Sequence, residues 1–296
     1  MVCRIDIPWG QKVTNFLLAS DLHLDHPKCK RELLTDHFKQ CVDRDGYILL
    51  NGDILCIMQG KYDKRHNKAS VRPEDMTDRY FDSVVENCAE YLLPYAKRIL
   101  WMGTGNHEAA VFRRVEVDIL SRLVDLIYYK TKHRICLGQY HGFLYFYQKQ
   151  LIGKDPRHDR VLSYTVYHNH GTGGDAAVTH GSIEDTRKMT HVEGADAIWM
   201  GHNHNKYTRQ QAVMYLDKNP NAHLTPKMRI IDIIRTGTYK QEYTGHGWHI
   251  ETGKAPKPLG GVWLTLERCA TPRGARFMKS TTTPTWVGEM DIQVER

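Results

Sequence analysis

The chain has 296 residues, with 41 Lys or Arg against 34 Asp or Glu, so its formal net charge is +7 with the histidines neutral. A hydrophobic fraction of 41% and a charged fraction of 25% are typical of globular proteins and exclude a disordered or collagen-like chain. No segment has the ~18 consecutive apolar residues of a membrane span, and the first residues lack the layout of a secretory signal. We therefore expect a soluble, cytoplasmic protein with no membrane partner.

In chain order, the first half alternates short apolar strands with amphipathic helices. Strands are predicted at 14–21, 47–50 and 99–102, and the helices that follow them at 29–43, 79–93 and 111–129. The polar, basic segment 60–78 is interpreted as an exposed insertion.

The second half is richer in strands. We predict one helix at 176–192 and strands at 142–147, 161–167, 197–200, 207–216, 228–235, 262–267 and 274–279. This order indicates an α/β layered fold in a single domain spanning residues 1–296.

The seven cysteines are an odd number and include no Cys-x-x-Cys pair, which disfavours both a disulfide framework and a cysteine-based zinc site. We expect them to be reduced, buried thiols. The 17 histidines, several of them in close pairs, are better candidates for metal ligands.

Clusters of Asp, Asn and His follow the predicted strands. They are Ser20–His23, Asn51–Asp53, Gly105–Glu108, His168–Gly171 and Gly201–His204. Each alone fits a surface turn, but ligand sites in open α/β sheets form at the carboxyl ends of strands. Carboxylates, an amide and imidazoles suit borderline divalent metals, so the five clusters together indicate a metal site.

The order of these motifs resembles that of the calcineurin-like metallophosphoesterases, which carry D-x-H, G-D, G-N-H-[DE], H-G and G-H-x-H. The matching residues lie between about 16 and 205 and read Asp21-Leu22-His23, Gly52-Asp53, Gly105-Asn106-His107-Glu108, His170-Gly171 and Gly201-His202-Asn203-His204. The resemblance implies a four-layer α/β/β/α sandwich, with two mixed β-sheets flanked by helices.

The resemblance also implies a dinuclear metal site. One ion would be held by Asp21, His23 and His204, and Asp53 would bridge it to the second. The ligands of that second ion would be Asn106, His170 and His202. The ions are expected to be manganese, with Fe, Zn, Ni or Mg as alternatives.

The activity implied is hydrolysis of a phosphate ester by in-line attack of a metal-bound hydroxide. His107, next to a ligand, would protonate the leaving group as a general acid. The role of Glu108 is open, because it could orient His107 or close the turn. His168 competes with His170 as a ligand. His180 also precedes a glycine, as His170 does, but it falls inside a predicted helix and is therefore disfavoured as a ligand.

The positive net charge favours a phosphodiester substrate and makes nucleic acid a candidate partner. The insertion adds basic side chains, namely Lys61, Lys64, Arg65, His66, Lys68 and Arg72. The alternatives are a phosphomonoesterase acting on nucleotides or phosphoproteins, and a non-catalytic binding scaffold. In the protein-phosphatase branch of the family, other residues follow the G-D and D-x-H motifs. Here Ile54 follows the G-D motif and Leu24 follows the D-x-H motif, which disfavours that branch.

Three further features are ambiguous. Arg113 and Arg114 could contact a substrate phosphate or be ordinary exposed helix residues. His246 and His249 could approach the site from the second sheet or be surface residues. The Gly-, Tyr- and His-rich segment 236–261 resembles C-terminal regions of phage-encoded members of the family. The oligomeric state is left open by these features.

Overall fold

The protein is described by a computed structural model, which covers residues 1–57, 67–152, 159–173, 182–216, 226–243, 248–251, 253, 255–270 and 276–285. Within these residues the strands are β1 (Val2–Ile7), β2 (Val13–Ala19), β3 (Tyr47–Asn51), β4 (Ile99–Gly103), β5 (Cys136–Leu137), β6 (His141–Gln150), β7 (Arg160–Asn169), β8 (Ala197–Met200), β9 (Tyr207–Leu216), β10 (Pro226–Arg235), β11 (Val262–Ala270) and β12 (Arg276–Pro284). The α-helices are α1 (Arg31–Asp43), α2 (Tyr80–Leu92), α3 (Asn106–Val115), α4 (Ile119–Thr131), α5 (Ser182–His191) and α6 (Trp248–Glu251).

The strands form two mixed six-stranded sheets. Sheet I has the order β12-β11-β2-β3-β4-β5, and its strands from β2 to β5 are parallel. Sheet II has the order β1-β6-β7-β8-β10-β9, in which β7, β8 and β10 are parallel. Parallel neighbours place their carboxyl ends at the same edge, so each sheet has one edge where several strand ends meet.

The central strands β2, β3 and β4 of sheet I are buried on both faces along most of their length, which fits their continuous apolar runs. Along β2, Phe16 and Leu18 point into the core between the sheets, whereas Leu17 and Ala19 point into the core beneath the helices. Helices α1, α2 and α4 contribute buried apolar side chains to this second core.

A smaller apolar cluster covers the outer face of sheet II. It contains Tyr167, Ile198, Met200 and Ile231, and α5 lies against β8 on this side. The order of layers is therefore helices, sheet I, sheet II and helix, which confirms the four-layer sandwich implied by the motifs.

The predicted helix over 111–129 is wrong as a single element, because the chain breaks it into α3 and α4. Glu116 ends α3 in a left-handed conformation with φ of 55°, and the Asp118 side chain caps α4 by accepting a hydrogen bond from the Ser121 amide at 3.0 Å. The apolar residues Val115 and Ile119 keep their four-residue spacing across the break, so the periodicity conceals it.

Two edge strands, β1 and β5, are absent from the sequence prediction. The signal for β1 is present, since Cys3, Ile5 and Ile7 are buried and alternate with exposed residues. Strand β5 has only two residues, too few for any alternation to be visible.

Part of the segment interpreted as an exposed insertion is buried. Val71 packs into the core beneath the helices, and the buried Asp75 accepts a hydrogen bond from Asn87 at 2.7 Å. The basic residues Lys61, Lys64, Arg65 and His66 lie outside the described residues, as does the side chain of Lys68. None of the helices in the described ranges has the length and apolar character needed to cross a lipid bilayer.

Candidate metal centre

The predicted ligands lie where the strand ends of the two sheets meet. The Asp21 amide, after β2, donates to the Gly52 carbonyl after β3 at 3.0 Å. The Gly201 amide, after β8, donates to the His170 carbonyl after β7 at 2.9 Å. The His202 amide donates to the Asp21 carboxylate at 3.0 Å, so the strand ends of sheet I and sheet II form one site.

Five of the seven predicted ligands have a left-handed backbone. Their φ angles lie between 48° and 71°, and the residues are Asp21, His23, Asp53, His202 and His204. Non-glycine residues rarely adopt this conformation, which costs about 1–3 kcal/mol each and persists where the surrounding structure enforces it. Sharp turns at the strand ends thus point the side chains back over the edge of the sheets.

Two glycines of the motifs are required by close packing. Gly52 has φ of +78°, and a Cβ there would lie 2.6 Å from both the Gly105 backbone and the His170 ring. A Cβ on Gly105 would lie 2.2 Å from the amide nitrogen and the carboxylate of Asp53. The glycines therefore allow the turns that carry Asp53 and Asn106 to touch.

One group of ligand atoms is formed by Asp21, His23 and His204, whose donor atoms all lie within 4.8 Å of one another. The Nε2 atom of His204 is 3.4 Å from Oδ1 of Asp21. Among the described residues, that Oδ1 atom and both ring nitrogens of His23 are buried without a hydrogen-bond partner. Buried polar atoms are nearly always paired, so these atoms fit the coordination of a cation.

A second group is formed by Asp53, His170 and His202. The Nε2 atom of His170 is 3.3 Å from Oδ2 of Asp53 and 3.9 Å from Oδ1 of Asp21, so the two groups adjoin. The amide oxygen of Asn106 lies 3.1 Å from His170 Nε2 and 2.7 Å from His202 Nδ1.

Hydrogen bonds orient two of the imidazoles for coordination. His170 Nδ1 donates to the Asn51 carbonyl at 2.7 Å, and His204 Nδ1 contacts the Glu242 carboxylate at 2.9 Å. Each bond leaves Nε2 facing the carboxylates. Metal-bound histidines in proteins are typically held in this way by a carbonyl or carboxylate on the other ring nitrogen.

The carboxylates of the site favour the binding of cations. Burial opposes protonation of His170, but the Asp53 and Asp21 carboxylates outweigh it and raise its pKa to about 10. Burial likewise opposes protonation of His204, whose pKa is raised to about 10 by Glu242 and Asp21. Metal ions would supply the positive charge in place of these protons. The donor set therefore fits divalent metals.

His107 lies beside the ligands with a fixed orientation. Its Nδ1 atom is 2.5 Å from the Cys56 carbonyl, which can only accept, so Nδ1 carries the proton. Its Nε2 atom is 3.9 Å from Oδ2 of Asp53, and its ring lies 4.9 Å from the His23 ring. His107 also forms a third possible metal-binding group with His23 and the Cys56 thiol, a combination that the sequence did not indicate.

Glu108 closes the turns that carry the ligands. Its buried carboxylate accepts hydrogen bonds from the amides of Asp53, Leu55 and Gly105, at 3.1, 3.0 and 2.9 Å. Burial and the neighbouring Asp53 carboxylate raise its pKa to about 7. Of the two roles considered for Glu108, these contacts correspond to closing the turn.

His168 does not lie among the candidate ligand groups. Its ring packs on Trp101 with centroids 4.5 Å apart, whereas His170 contacts Asp53. His180 and His246 lie outside the described residues, as does the side chain of His249. Arg113 and Arg114 are exposed in the last turn of α3.

The segment after β10 supplies residues that the sequence reasoning missed. The Tyr239 amide donates to the Asp21 carbonyl at 3.0 Å, and Glu242 contacts both His204 and the Lys240 ammonium, the latter at 3.2 Å. A signal was available, because the predicted strand 228–235 also ends in polar residues. Because ligand sites form at the carboxyl ends of strands, the end of this strand indicates that residues 236–242 lie at the site as well.

The chain is only remotely similar to known proteins. No protein-family model matches it, and no curated protein does. Among solved structures, it is similar to a conserved uncharacterized protein of Streptococcus pneumoniae titled a predicted phosphoesterase, with 11% identity over 91% of this chain and 98% of that chain and a TM-score of 0.30. It is also similar to GAP50 of Plasmodium, titled the anchor in the inner membrane complex, with 8% identity over 94% and 91% of the two chains and a TM-score of 0.39.

A third similar structure is Vps29 of Chaetomium thermophilum, with 11% identity over 92% of this chain and 98% of that chain and a TM-score of 0.32. Identities and TM-scores this low transfer neither an activity nor a site to this chain. The case for a function therefore depends on the side chains described above.

Proposed function

We propose that this chain is a calcineurin-like metallophosphoesterase that hydrolyses a phosphate ester with two divalent metal ions. The observation that carries the proposal is the set of buried oxygen and nitrogen atoms without a hydrogen-bond partner on Asp21 and His23, among the described residues. They lie within a larger group of imidazoles, carboxylates and an amide whose sequence motifs resemble that family in kind and order. Structural metal sites usually close their coordination with Cys and His, whereas this group is rich in oxygen donors.

The first ion would be held by Asp21, His23 and His204, and the second by Asn106, His170 and His202. Asp53 would bridge them. When bound, such ions polarise a phosphate ester and activate a water molecule near neutral pH. We propose manganese as the metal, with Fe, Zn and Ni as alternatives that accept the same imidazole and carboxylate donors, whereas Mg prefers oxygen donors alone.

The chain's own contribution to the reaction is the placement of His107. With its Nδ1 proton donated to the Cys56 carbonyl, the ring presents Nε2 toward the ligand group, near Asp53. From Nε2 it would donate a proton to the leaving oxygen as a general acid.

We propose a phosphodiester, such as a nucleic acid, as the substrate. The net charge of +7 supports this, because a basic protein attracts polyanions. The first alternative is a phosphomonoester substrate, either a nucleotide or a phosphoprotein. The second alternative is that the chain is a metal-binding scaffold without activity.

The decisive experiment measures hydrolysis of a p-nitrophenyl phosphodiester and of the matching monoester with manganese supplied, together with metal content by mass spectrometry. We expect two ions per chain and a preference for the diester. Asp53→Asn should lower the content of both metals and reduce turnover by more than the roughly 10–100-fold loss typical of residues that only support a ligand, because Asp53 would contact both ions. Asp6→Asn, an exposed carboxylate on β1, is the matched control.

Each other outcome changes a stated part of the proposal. Full activity and two metals in Asp53→Asn would refute the bridging role. A preference for the monoester would replace the proposed substrate. Two bound metals with no hydrolysis of either ester would favour the scaffold, and failure to bind any metal would overturn the proposal.

A further inference from the structure

Two thiols meet where the edges of the two sheets come together, away from the metal centre. Cys3 lies on β1, the edge strand of sheet II, and Cys136 lies on β5, the edge strand of sheet I. They are 133 residues apart in the chain, yet their Sγ atoms are 2.6 Å apart. Cys3 is part of the core between the sheets, and Cys136 packs against it.

We propose that Cys3 and Cys136 are a redox-active pair that forms a reversible disulfide between the two sheets on reaction with a low-molecular-weight disulfide such as glutathione disulfide. This site is independent of the proposed phosphoesterase activity. It also differs from the expectation that every cysteine in the chain is an inert buried thiol.

The surroundings of Cys136 give a small disulfide access to it. The half-buried Cys136 lines an open cleft of about 440 Å³ with Val124, Tyr128, Arg134 and Leu137. The charged groups of this cleft are the guanidinium of Arg134 and the carboxylate of Asp125. The guanidinium is a suitable partner for the carboxylates of glutathione.

The chemistry of the pair favours Cys136 as the attacking thiol. A hydrogen bond from the Cys3 thiol outweighs burial and lowers the pKa of Cys136 to about 7, so a thiolate is present near neutral pH. Cys29, Cys41, Cys56 and Cys88 are buried, and burial raises the pKa of Cys29 to about 12. Cys269 is half-buried like Cys136, which makes it the matched comparison.

The exchange balances in two steps. The Cys136 thiolate attacks one sulfur of glutathione disulfide, forming a mixed disulfide and releasing one glutathione thiolate. The Cys3 thiol then loses its proton to that thiolate, and its sulfur attacks the Cys136 sulfur, releasing the second glutathione. Two protein thiols are oxidised, and one glutathione disulfide is reduced to two glutathione molecules.

The test treats the folded, full-length protein with glutathione disulfide and then alkylates the remaining thiols before mass spectrometry. We expect a loss of two hydrogens, a peptide linking Cys3 to Cys136, and five alkylated cysteines in place of seven. The oxidised protein should unfold several degrees higher than the reduced one, because the bond closes a long loop. Dithiothreitol should reverse both changes.

Variants separate this pair from general thiol reactivity. Cys3→Ser should stop the reaction at a glutathione adduct on Cys136, Cys136→Ser should leave Cys3 unmodified, and Cys269→Ser should behave as wild type. Seven alkylated cysteines after oxidation of the wild type would overturn the proposal. A persistent glutathione adduct, or a disulfide joining two copies through Cys136, would overturn it as well.

Discussion

His23 shows at the scale of one residue why this site fits a metal ion. Both of its ring nitrogens are buried without a partner among the described residues, and an unpaired buried polar atom costs about 1–3 kcal/mol. Burial, together with the nearby His107 and Lys240, holds the pKa of His23 well below its usual range. The imidazole is therefore neutral, the form that coordinates a metal.

The role of His107 can be tested by replacing it with alanine. If it donates a proton rather than binding metal, His107→Ala should keep the metal content of the wild type. Turnover should fall by about 10²–10⁴-fold for poor leaving groups and much less for p-nitrophenolate, which needs no proton. The rates across esters of differing leaving-group pKa provide the measurement.

His141→Ala, an exposed histidine on β6, is the matched control and should leave all rates unchanged. An equal loss for good and poor leaving groups would contradict an acid role. A loss of metal would instead favour the group formed by His107, His23 and Cys56 as a binding site.

Glu242 is expected to orient His204. Its carboxylate contacts His204 Nδ1 at 2.9 Å and so directs Nε2 toward Asp21. Glu242→Ala should weaken metal binding by about 10–100-fold, as is typical for the partner of a metal-bound histidine. Competition with a chelator of known affinity measures this. Glu251→Ala, an exposed residue of α6, should not change the affinity, and an unchanged affinity in Glu242→Ala would show that His204 needs no such support.

At the scale of elements, the turns after the strands are the parts that determine the site. Their left-handed residues cost free energy, and Glu108 offsets part of that cost by pairing three backbone amides of the turns that follow β3 and β4. These turns can therefore hold Asp53 and Asn106 in place before any metal binds. A rigid set of ligands loses less entropy on binding than a flexible one.

The boundary between α3 and α4 yields a stability prediction. Asp118 caps α4 through the Ser121 amide and hydroxyl, at 3.0 and 2.7 Å. Asp118→Ala should lower the free energy of unfolding by about 1–2 kcal/mol. The urea midpoint at constant slope measures the change.

Asp125→Ala, an exposed aspartate within the same helix, is the control and should change the stability by no more than about 0.5 kcal/mol. If both variants were equally stable, the break between the helices would not depend on this cap.

At the scale of the whole molecule, the sandwich brings segments far apart in the chain into one buried region. His26 is an example, because burial and the nearby Lys240, from the segment after β10, lower its pKa to about 3. Its Nδ1 atom accepts a hydrogen bond from the Lys28 amide at 3.0 Å, which requires the unprotonated nitrogen.

The shift in His26 predicts an acid-dependent loss of stability in the metal-free protein. Unfolded histidine binds a proton below about pH 6.5, whereas folded His26 does so only near pH 3, so the unfolded state binds more protons between these values. The contribution of His26 to folding stability should therefore fall as pH falls, by up to about 1.4 kcal/mol per pH unit.

His26→Asn keeps an acceptor for the Lys28 amide but cannot titrate. The difference in unfolding free energy between wild type and variant, measured from pH 7 to pH 4, isolates His26 from other groups. The wild type should lose stability relative to the variant toward pH 4, and a constant difference would contradict the predicted shift.

Much of the sandwich could be predicted from sequence, because several of its central strands are short runs of consecutive apolar residues. The runs at 47–50 and 99–102 agree with β3 and β4 to within a residue, and the more polar edge strand 207–216 agrees with β9 at both ends. The break within 111–129 and the short β5 could not be read from periodicity. A left-handed residue leaves apolar spacing unchanged, and a two-residue strand has no period.

The sequence by itself determined which donor groups are available to the candidate site, because residue types and the order of motifs are properties of the chain alone. Seven candidate ligands followed strand ends, and the rule that strand ends share an edge placed them together. Only the tertiary structure placed His170 rather than His168 beside Asp53, gave Glu108 its three amides and brought Glu242 to His204. It also joined Cys3 to Cys136 across the two sheets. Each of these depends on which way a side chain points or on contacts between distant segments, which the turns and the packing of the sheets determine.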